Sequence, residues 1–340
     1  MSRYDLLRSQ LAAQPRRWLI TGVAGFIGSH LLETLLTLDQ EVVGLDNFAS
    51  GSKPNLGDVR ARVSESQWAR FAFHEGSVAD SETCQTACAG ADYVLHQAGF
   101  VSVPRSLENP LECHETNVTG TLQILLAAQK AGVRRVIYAS SSAVYGDDPR
   151  LPKTESMIGR PLSPYGASKW MAEIYARLFQ TQLNTIGLRY FNIFGPRQDP
   201  AGGYAAVIPR WIGQLIRGET CTIHGDGTMT RDFCPVADVV QANLLAAASE
   251  GQGASVFNVA LGSSTNLLQL HALLSEAAVS LGLPTPQPAG HGPVRPGDIE
   301  HSAADISAVR KILGFEPTPD LAPALRETMR WYARQGPKAP

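Results

Sequence analysis

The sequence predicts an α/β fold: a doubly wound parallel sheet joined to a smaller α/β lobe. From residue 18 to residue 192, runs rich in β-branched and aromatic residues alternate with longer stretches of helical period. Such alternation is typical of parallel strands linked by crossover helices. The chain also has 340 residues, more than one hydrophobic core usually organises, so we expect a second lobe.

Six strands and three long crossover helices are predicted in the first part of the chain. The predicted strands are 18–22, 41–46, 71–77, 91–98, 134–140 and 185–192. The predicted helices are 26–38, 117–131 and 165–182. Each of these helical stretches is long enough for the right-handed connection that parallel strands require.

After residue 192 the sequence becomes rich in Gly, Pro and short polar turns, which indicates a loop-rich lobe. A helical stretch at 239–248 and a strand at 256–259 interrupt this pattern, and we expect both to return to the large sheet. The predicted domains are therefore 1–192, with returning pieces at about 236–260, and 193–340, which is interleaved with the first.

The composition favours a small-molecule partner in a reducing, cytoplasmic setting. Hydrophobic residues make up 44%, charged residues 18%, and the formal net charge of -2 gives no electrostatic reason to expect nucleic acid or an anionic membrane. Every apolar run ends before the roughly 18 residues of a membrane span. The five cysteines have no metal-ligand spacing, so we expect free thiols and no metal site.

Residues 21–30, TGVAGFIGSH, place Gly22, Gly25 and Gly28 between a predicted strand and a predicted helix. A turn of this kind directs backbone N–H groups and the positive end of a helix toward one point, which suits a pyrophosphate. Glycine has no Cβ, so backbone and ligand can approach closely. The spacing G-x-x-G-x-x-G differs from the usual G-x-G-x-x-G, which leaves a glycine turn for packing as the alternative.

Asp46 ends the second predicted strand, 24 positions after Gly22. A carboxylate at this place accepts hydrogen bonds from an adenosine ribose and repels a 2'-phosphate, so it favours NAD over NADP. The alternative is that Asp46 caps a turn or helix.

Tyr165 and Lys169 lie four residues apart on a helix that Ser163 and Pro164 open, so both side chains share one face. A free tyrosine titrates near pH 10. A nearby ammonium and a bound nicotinamide cation favour the phenolate, and we therefore expect Tyr165 to act as a general base at neutral pH. An isolated Tyr-x-x-x-Lys pair also occurs by chance on many helices.

Three serines, Ser140, Ser141 and Ser142, stand at the carboxyl end of the fifth predicted strand. Open parallel sheets bind ligands at this edge, and three hydroxyls together suit hydrogen bonding to a sugar oxygen. The alternative is that they cap the strand end.

The motifs occur in an ordered set: TGVAGFIG, Asp46, HQAG, SSSAVYG, YGASK and LRYFNIFGPRQ. This set resembles the extended short-chain dehydrogenase/reductase family of nucleotide-sugar enzymes. The segments SVPRS, YAAVIPRW, TRDFC and RPGDIEHSAADIS are most similar to the UDP-N-acetylglucosamine 4-epimerase branch. The resemblance covers nearly the whole chain and implies a Rossmann-type NAD-binding domain, a UDP-sugar-binding lobe, and a homodimer that buries helices around 108–131 and 163–182.

The resemblance also implies the following site residues. Catalytic roles are implied for Ser141, Tyr165 and Lys169. NAD contacts are implied for Gly22, Gly25, Phe26, Ile27, Gly28, Asp46, Asn47, Gly51, Ser77, Val78, Gln97, Ala98, Thr116, Tyr165, Lys169 and Ile193. Substrate contacts are implied for Ser102, Ser141, Ser142, Tyr165, Asn192, Gln198, Tyr204, Val207, Arg231, Arg295 and Ser302.

For some of these residues the side-chain chemistry suggests a specific role. Arg231 and Arg295 suit a diphosphate because a guanidinium matches phosphate oxygens, although each could also be an ordinary surface arginine. Ser77 replaces an aspartate that relatives commonly carry, which predicts weaker NAD binding. Ser302 replaces a bulky aromatic of epimerases restricted to non-acetylated sugars, so an N-acetyl group should fit, with Ser102 and Ser142 as hydrogen-bonding partners.

The expected reaction is inversion at C4 of the sugar. Tyr165 takes the proton of the 4-hydroxyl, hydride passes from C4 to NAD, and Ser141 hydrogen-bonds O4. The 4-keto sugar then turns and receives the hydride on its other face. Dehydratases and decarboxylases of the family carry acidic residues where this chain has Ser142 and Ala143. The alternatives are a UDP-glucuronate 4-epimerase or decarboxylase, and an NAD-binding regulatory protein without turnover.

Overall fold

The computed structural model describes residues 1–200, 206–294 and 300–336. Its centre is a seven-stranded sheet in the order β11-β6-β5-β4-β1-β2-β3, and all neighbouring strands in it are parallel. The predicted fold class, a doubly wound parallel sheet of Rossmann type, is confirmed. The strands are β1 (Arg17–Thr21), β2 (Glu41–Asp46), β3 (Phe71–Glu75), β4 (Tyr93–His96), β5 (Arg135–Ser141), β6 (Thr185–Tyr190), β7 (Ile193–Phe194), β8 (Thr222–His224), β9 (Thr230–Arg231), β10 (Cys234–Pro235), β11 (Ala254–Val259), β12 (Thr265–Asn266) and β13 (Gly290–Gly292).

Helices cover both faces of this sheet. The described helices of the chain are α1 (Arg3–Ala13), α2 (Phe26–Thr37), α3 (Lys53–Arg60), α4 (Glu65–Trp68), α5 (Ser81–Cys88), α6 (Val103–Glu108), α7 (Pro110–His114), α8 (Gly120–Ala131), α9 (Pro164–Leu178), α10 (Val207–Ile216), α11 (Val236–Ala247), α12 (Leu267–Ser280), α13 (Ser307–Leu313) and α14 (Leu321–Gln335). A π-helical turn (Glu115–Thr119) precedes α8, and a 3₁₀ turn (Ser142–Tyr145) follows β5.

The strand sequences explain the two covered faces. Successive side chains of a strand point to opposite faces, so a strand covered on both sides is apolar throughout. In β1, Leu19 packs with Val43 and Val94 under α5 and α8. Its neighbour Ile20 packs with Leu95 on the other face, under α2 and α11.

The predicted elements occur in the predicted order, and their ends differ by a few residues. The largest difference is at the end of the helix predicted at 165–182, since α9 ends at Leu178. At 117–131 the first residues form the π-helical turn, and α8 begins only at Gly120. Strands β3, β4 and β6 end before the predicted residues because the chain already turns toward the ligand-binding edge.

Residues after 193 form a separate cluster of buried side chains, built from α10, α12 and α14 around Trp211, Leu274 and Met329. Strand β11 and α11 belong to the large sheet and its covering layer. Residues 304–315 also pack against that layer, through Ile306 and Phe315 among others. The returning part of the chain is therefore longer than 236–260, and the division into two domains stays a prediction.

The chain leaves β1 in one direction to β2 and β3, and later returns on the other side of β1 to β4 and β5. This reversal creates a crevice at the carboxyl ends of β1 and β4, the usual ligand position in open parallel sheets. Among the described helices, none has the length and apolar character that crossing a bilayer requires.

Candidate active site

The glycine turn connects β1 directly to α2. Gly22 has φ 69°, a left-handed conformation that favours glycine, and a Cβ there would lie 2.7 Å from the backbone nitrogen of Ala98. A Cβ at Gly28 would lie 2.0 Å from the carbonyl oxygen of Gly22. Close packing thus explains two of the glycines. Gly25 is the N-cap of α2 and no side chain caps this helix, so its first turn, with Phe26 and Ile27, remains suited to an anion.

The Asp46 carboxylate makes the capping contacts of the second sequence interpretation, and its contact with a ribose stays a prediction. Its Oδ2 accepts a hydrogen bond from the backbone of Ala24 (2.9 Å), and its Oδ1 accepts one from the backbone of Phe48 (2.8 Å), so the carboxylate caps the glycine turn and its own loop. Burial raises the pKa of this carboxyl, whereas the backbone hydrogen bonds lower it. Each oxygen retains a second lone pair for a ribose hydroxyl. Gly51 faces these oxygens, and Asn47 is exposed beside them.

The end of β4 lies next to the glycine turn. The Gln97 side chain donates to Asn243 (3.0 Å) and accepts from Tyr190 (3.0 Å), so it is already engaged within the protein. The Ala98 amide donates to the Thr21 hydroxyl. His96 is hydrogen-bonded at both ring nitrogens, to Thr21 and Thr121, and burial lowers its pKa to about 3. His96 is therefore neutral and has a structural role.

The remaining predicted NAD contacts lie at several elements around this crevice. The Ser77 hydroxyl accepts from the Ala79 amide (3.2 Å), and Val78 packs beneath Gly120. Thr116 is half-buried in the π-helical turn, and Ile193 starts β7. The set fits a dinucleotide, since an uncapped helix terminus, a buried carboxylate and close-packed glycines line one edge. Their individual roles stay predictions.

Tyr165 and Lys169 lie on α9, which begins where the sequence predicts it. The Ser163 hydroxyl caps this helix by accepting from the Gly166 amide (3.1 Å). The Lys169 ammonium lies 5.9 Å from the centre of the Tyr165 ring. It also lies next to Gly99, where a Cβ would be 3.2 Å from Nζ. Because Gly99 follows Ala98, the pair is adjacent to the glycine turn.

The environment of Tyr165 changes the pKa of its phenol in two directions. Burial raises this pKa, and the neighbouring Ser141 hydroxyl lowers it. The Lys169 ammonium donates to the Ala139 carbonyl (2.9 Å), and its expected effect on Tyr165 stays a prediction. Burial in turn lowers the pKa of Lys169 to about 8. Ser141 is thus the group in the described protein that makes the phenol more acidic.

The three serines do not converge as the sequence suggests. Ser141 interacts with Tyr165 and accepts from the Ala143 amide (3.1 Å). The Ser140 hydroxyl instead donates to the Glu173 carboxylate (2.5 Å), deep within the protein. Ser142 begins the 3₁₀ turn and is half-buried. The prediction of three hydroxyls at one sugar oxygen is therefore wrong for Ser140.

A cavity of about 240 Å³ lies beside the residues that follow β6. Four of the predicted residues line it: Asn192, Ile193, Val207 and Arg231. Sequence reasoning did not single out Trp211, Phe233 and His224, which also line it. Trp211 lies in the motif YAAVIPRW and Phe233 in the motif TRDFC. Their position in these motifs is the sequence feature that could have identified them.

The other predicted substrate residues are placed as follows. Gln198 Oε1 is buried without a hydrogen-bond partner, which is consistent with a site for a ligand donor. The Ser302 amide donates to the carbonyl of Thr230, beside Arg231. The Ser102 hydroxyl caps α6 by accepting from the Arg105 amide (3.3 Å). Tyr204 and Arg295 lie outside the described residues.

Within residues 1–200, 206–294 and 300–336, no three His, Cys, Asp or Glu side chains group in a way that could hold a metal ion.

Comparison with known proteins gives a consistent result. Residues 18–260 match the NAD dependent epimerase/dehydratase family. The chain is 37% identical over 320 residues to a UDP-glucose 4-epimerase of Mycolicibacterium smegmatis, covering 93% of this chain and 98% of the relative. A solved UDP-N-acetylglucosamine 4-epimerase from Methanobrevibacter ruminantium M1, in complex with UDP-N-acetylmuramic acid, superposes with TM-score 0.86 at 36% identity, covering 94% of this chain and 99% of that one. A Thermus thermophilus UDP-glucose 4-epimerase in complex with NAD gives TM-score 0.79 at 33% identity, with 94% and 99% covered.

Proposed function

The chain belongs to the NAD-dependent epimerase/dehydratase family, and from this premise we propose that it interconverts the C4 epimers of UDP-N-acetylhexosamines. It is an isomerase, and its cofactor is NAD. The observation that carries the proposal is the adjacency of Tyr165, Ser141 and Lys169 to the glycine turn, through Gly99 and Ala98. Bound NAD supplies the reversible two-electron oxidation at C4.

The residues that would hold NAD come from the crevice at β1, β2 and β4. The first turn of α2 receives the pyrophosphate, because this helix has no side-chain cap. Asp46 accepts from the adenosine ribose with its free lone pairs, and its charge opposes a 2'-phosphate. Lys169, which lies beside Gly99, would hold the nicotinamide ribose.

Tyr165 is the proposed general base for the sugar 4-hydroxyl. Its side chain is half-buried and its phenol lies beside Ser141, so the proton passes to an acceptor whose position is fixed. Ser141 holds O4 when this oxygen becomes a carbonyl, and its hydroxyl stabilises negative charge on O4 when the proton returns. Lys169 keeps a positive charge close to the phenol without forming an ion pair with it.

Epimerisation requires that the nucleotide remain bound while the 4-keto sugar turns. The cavity near β7 and α10 is the proposed site of the nucleotide diphosphate, with Arg231 supplying the cation and Asn192 an amide. Gln198 provides an unpartnered oxygen. We propose the same division for the domains: the large sheet holds NAD, and the lobe around α10, α12 and α14 holds the UDP part.

Epimerisation is favoured over dehydration or decarboxylation because of the turn after β5. Ser142 and Ala143 occupy its first two positions, and neither supplies a carboxyl group for removal of a C6 substituent. Preference for an acetylated sugar is supported by Ser302, a short side chain beside the Arg231 segment. The comparison with an UDP-N-acetylglucosamine 4-epimerase at TM-score 0.86 supports the same choice.

A homodimer is also proposed, through the faces of α6 to α9. These helices expose large apolar side chains, including Leu107 (63%), Leu111 (84%) and Leu178 (69%). Exposed apolar surface of this kind is commonly covered by a second chain. Sedimentation analysis of the purified protein tests this proposal.

The function is tested by incubating the purified protein with UDP-N-acetylglucosamine, UDP-glucose and UDP-glucuronate, and following each product by NMR. We expect the C4 epimer of the acetylated sugar, without net change of NAD. Release of carbon dioxide from UDP-glucuronate, with no epimer of any sugar, contradicts the proposal.

A further inference from the structure

Glu173 is a buried carboxylate on α9 that the proposed reaction does not use. It accepts three hydrogen bonds, one from the Ser140 hydroxyl (2.5 Å) and two from the Arg189 guanidinium (2.9 and 2.7 Å). The Arg189 and Glu173 side chains are only 3% and 2% exposed. A buried ion pair contributes little net stability, because the cost of desolvating both charges offsets their attraction.

Glu173 is held by two neighbouring strands at once. Ser140 of β5 and Arg189 of β6 are direct partners in the parallel pairing of these strands, and both side chains reach the same carboxylate. Arg189 is itself fixed by the Glu155 carbonyl (2.8 Å) and the Tyr145 hydroxyl (3.1 Å). The carboxylate therefore has a fixed position relative to the end of the sheet.

Three consecutive residues of β5 contact three residues of α9. The Ala139 carbonyl accepts from Lys169, the Ser140 hydroxyl donates to Glu173, and the Ser141 hydroxyl lies beside the Tyr165 phenol. The three helix residues are four positions apart and so lie on one face. A shift of the strand end against the helix would change all three contacts together.

We propose that Glu173 is a positioning residue, which fixes the register of β5 against α9 through Ser140 and thereby keeps Ser141 in contact with Tyr165. This inference rests on the proposed function of Ser141 and Tyr165. It adds that the alignment of the two depends on a contact outside the substrate site.

The alternative is that the Glu173 and Arg189 pair only stabilises the packing of α9. The substitution Ser140→Ala separates the two possibilities, because Glu173 keeps both hydrogen bonds from Arg189. A packing role predicts little effect on any property. A positioning role predicts a kcat about ten-fold lower, because Ser141 then loses part of its alignment with Tyr165. It also predicts an unchanged KM, because the nucleotide is held in the other lobe.

The experiment compares kcat, KM and the thermal midpoint of the wild type, Ser140→Ala, Ser140→Thr and Thr185→Val. Ser140→Thr keeps the hydroxyl, and we expect kcat to return to within about three-fold of the wild type. Thr185→Val is the matched control, because it removes a buried hydroxyl whose contact with α9, at the Ala176 carbonyl (3.5 Å), lies away from Ser141. This control should retain wild-type kcat.

A wild-type kcat in folded Ser140→Ala overturns the proposal, as does a loss of kcat that Thr185→Val reproduces. Should Ser140→Ala not fold, Ser140→Gly removes the same hydroxyl without adding bulk, and a wild-type kcat there has the same meaning. Tyr165→Phe is measured in parallel. If Tyr165→Phe remains active, the proposed function has failed; if it is inactive while Ser140→Ala is unaffected, only the positioning role has failed.

Discussion

Lys169 donates its ammonium hydrogen bond to the Ala139 carbonyl at 2.9 Å, and its charge lies 5.9 Å from the centre of the Tyr165 ring. The lysine thus anchors the helix to the end of β5. The Ser141 hydroxyl is the neighbour that lowers the pKa of Tyr165, against the effect of burial. Substitutions of Tyr165, Ser141 and Lys169 are therefore expected to have different effects.

Tyr165→Phe should reduce kcat by about 10²- to 10⁴-fold, the range typical of a lost general base. NAD affinity should change little, because the ring and its packing remain. Turnover is measured by NMR with UDP-N-acetylglucosamine, and NAD binding by fluorescence titration. Tyr175→Phe is the matched control, since Tyr175 lies on the same helix and packs in the core. Near-normal turnover in Tyr165→Phe contradicts the assignment.

Ser141→Ala should move the acidic limb of the kcat profile to higher pH. Burial already raises the pKa of Tyr165, and the Ser141 hydrogen bond is the contact that lowers it. Without that bond the phenol holds its proton more strongly, so the active, deprotonated form appears only at higher pH. The measurement is kcat from pH 6 to 10 for both proteins. If kcat is lower but the acidic limb of the profile is unchanged, Ser141 acts on the substrate and does not lower the pKa of Tyr165.

Lys169→Met should stabilise the fold at neutral pH while it decreases turnover. Burial lowers the pKa of Lys169 from 10.5 to about 8, a cost of about 3 kcal/mol for the charged form. Because the unfolded chain binds more protons between pH 8 and 10.5, wild-type stability should rise with pH through that window. Below pH 8 the full penalty remains. Thermal unfolding from pH 7 to 10 measures both effects.

The exposed Lys130 provides the comparison for this substitution. Its ammonium pairs only with Gln85 at the surface, so Lys130→Met should change neither turnover nor the pH dependence of unfolding. A lower midpoint for Lys169→Met than for wild type at pH 7 would mean that its hydrogen bond to Ala139 outweighs the cost of burial.

The sequence was sufficient for the parts of the site that depend on local pattern. The glycine turn, the end of β2 at Asp46 and the Ser163 cap of α9 each follow from a few neighbouring residues. The direction of Ser140 could not be predicted, because its partner Glu173 is 33 residues away and the partner of that residue lies on another strand.

The same limit applies to the acidity of Tyr165. Helical spacing places Lys169 on the correct face of α9. Its hydrogen bond to the Ala139 carbonyl could not be predicted, because that carbonyl belongs to a strand 30 residues earlier. Burial, which dominates both pKa values, is a property of the assembled core. Long-range contacts and desolvation are therefore the parts that required the structure.

Ser302→Tyr should suppress turnover of the acetylated substrate selectively. The Ser302 amide is bound to the Thr230 carbonyl, so the backbone position is fixed and a larger side chain must occupy space beside Arg231. The larger side chain takes the space of the N-acetyl group. UDP-glucose lacks this group, so the site should still accept it. We expect kcat/KM for UDP-N-acetylglucosamine to fall by about 10- to 200-fold relative to UDP-glucose. Ser307→Tyr, at an exposed position five residues later, is the matched control. Equal losses on both substrates would show that Ser302 does not determine the choice of sugar.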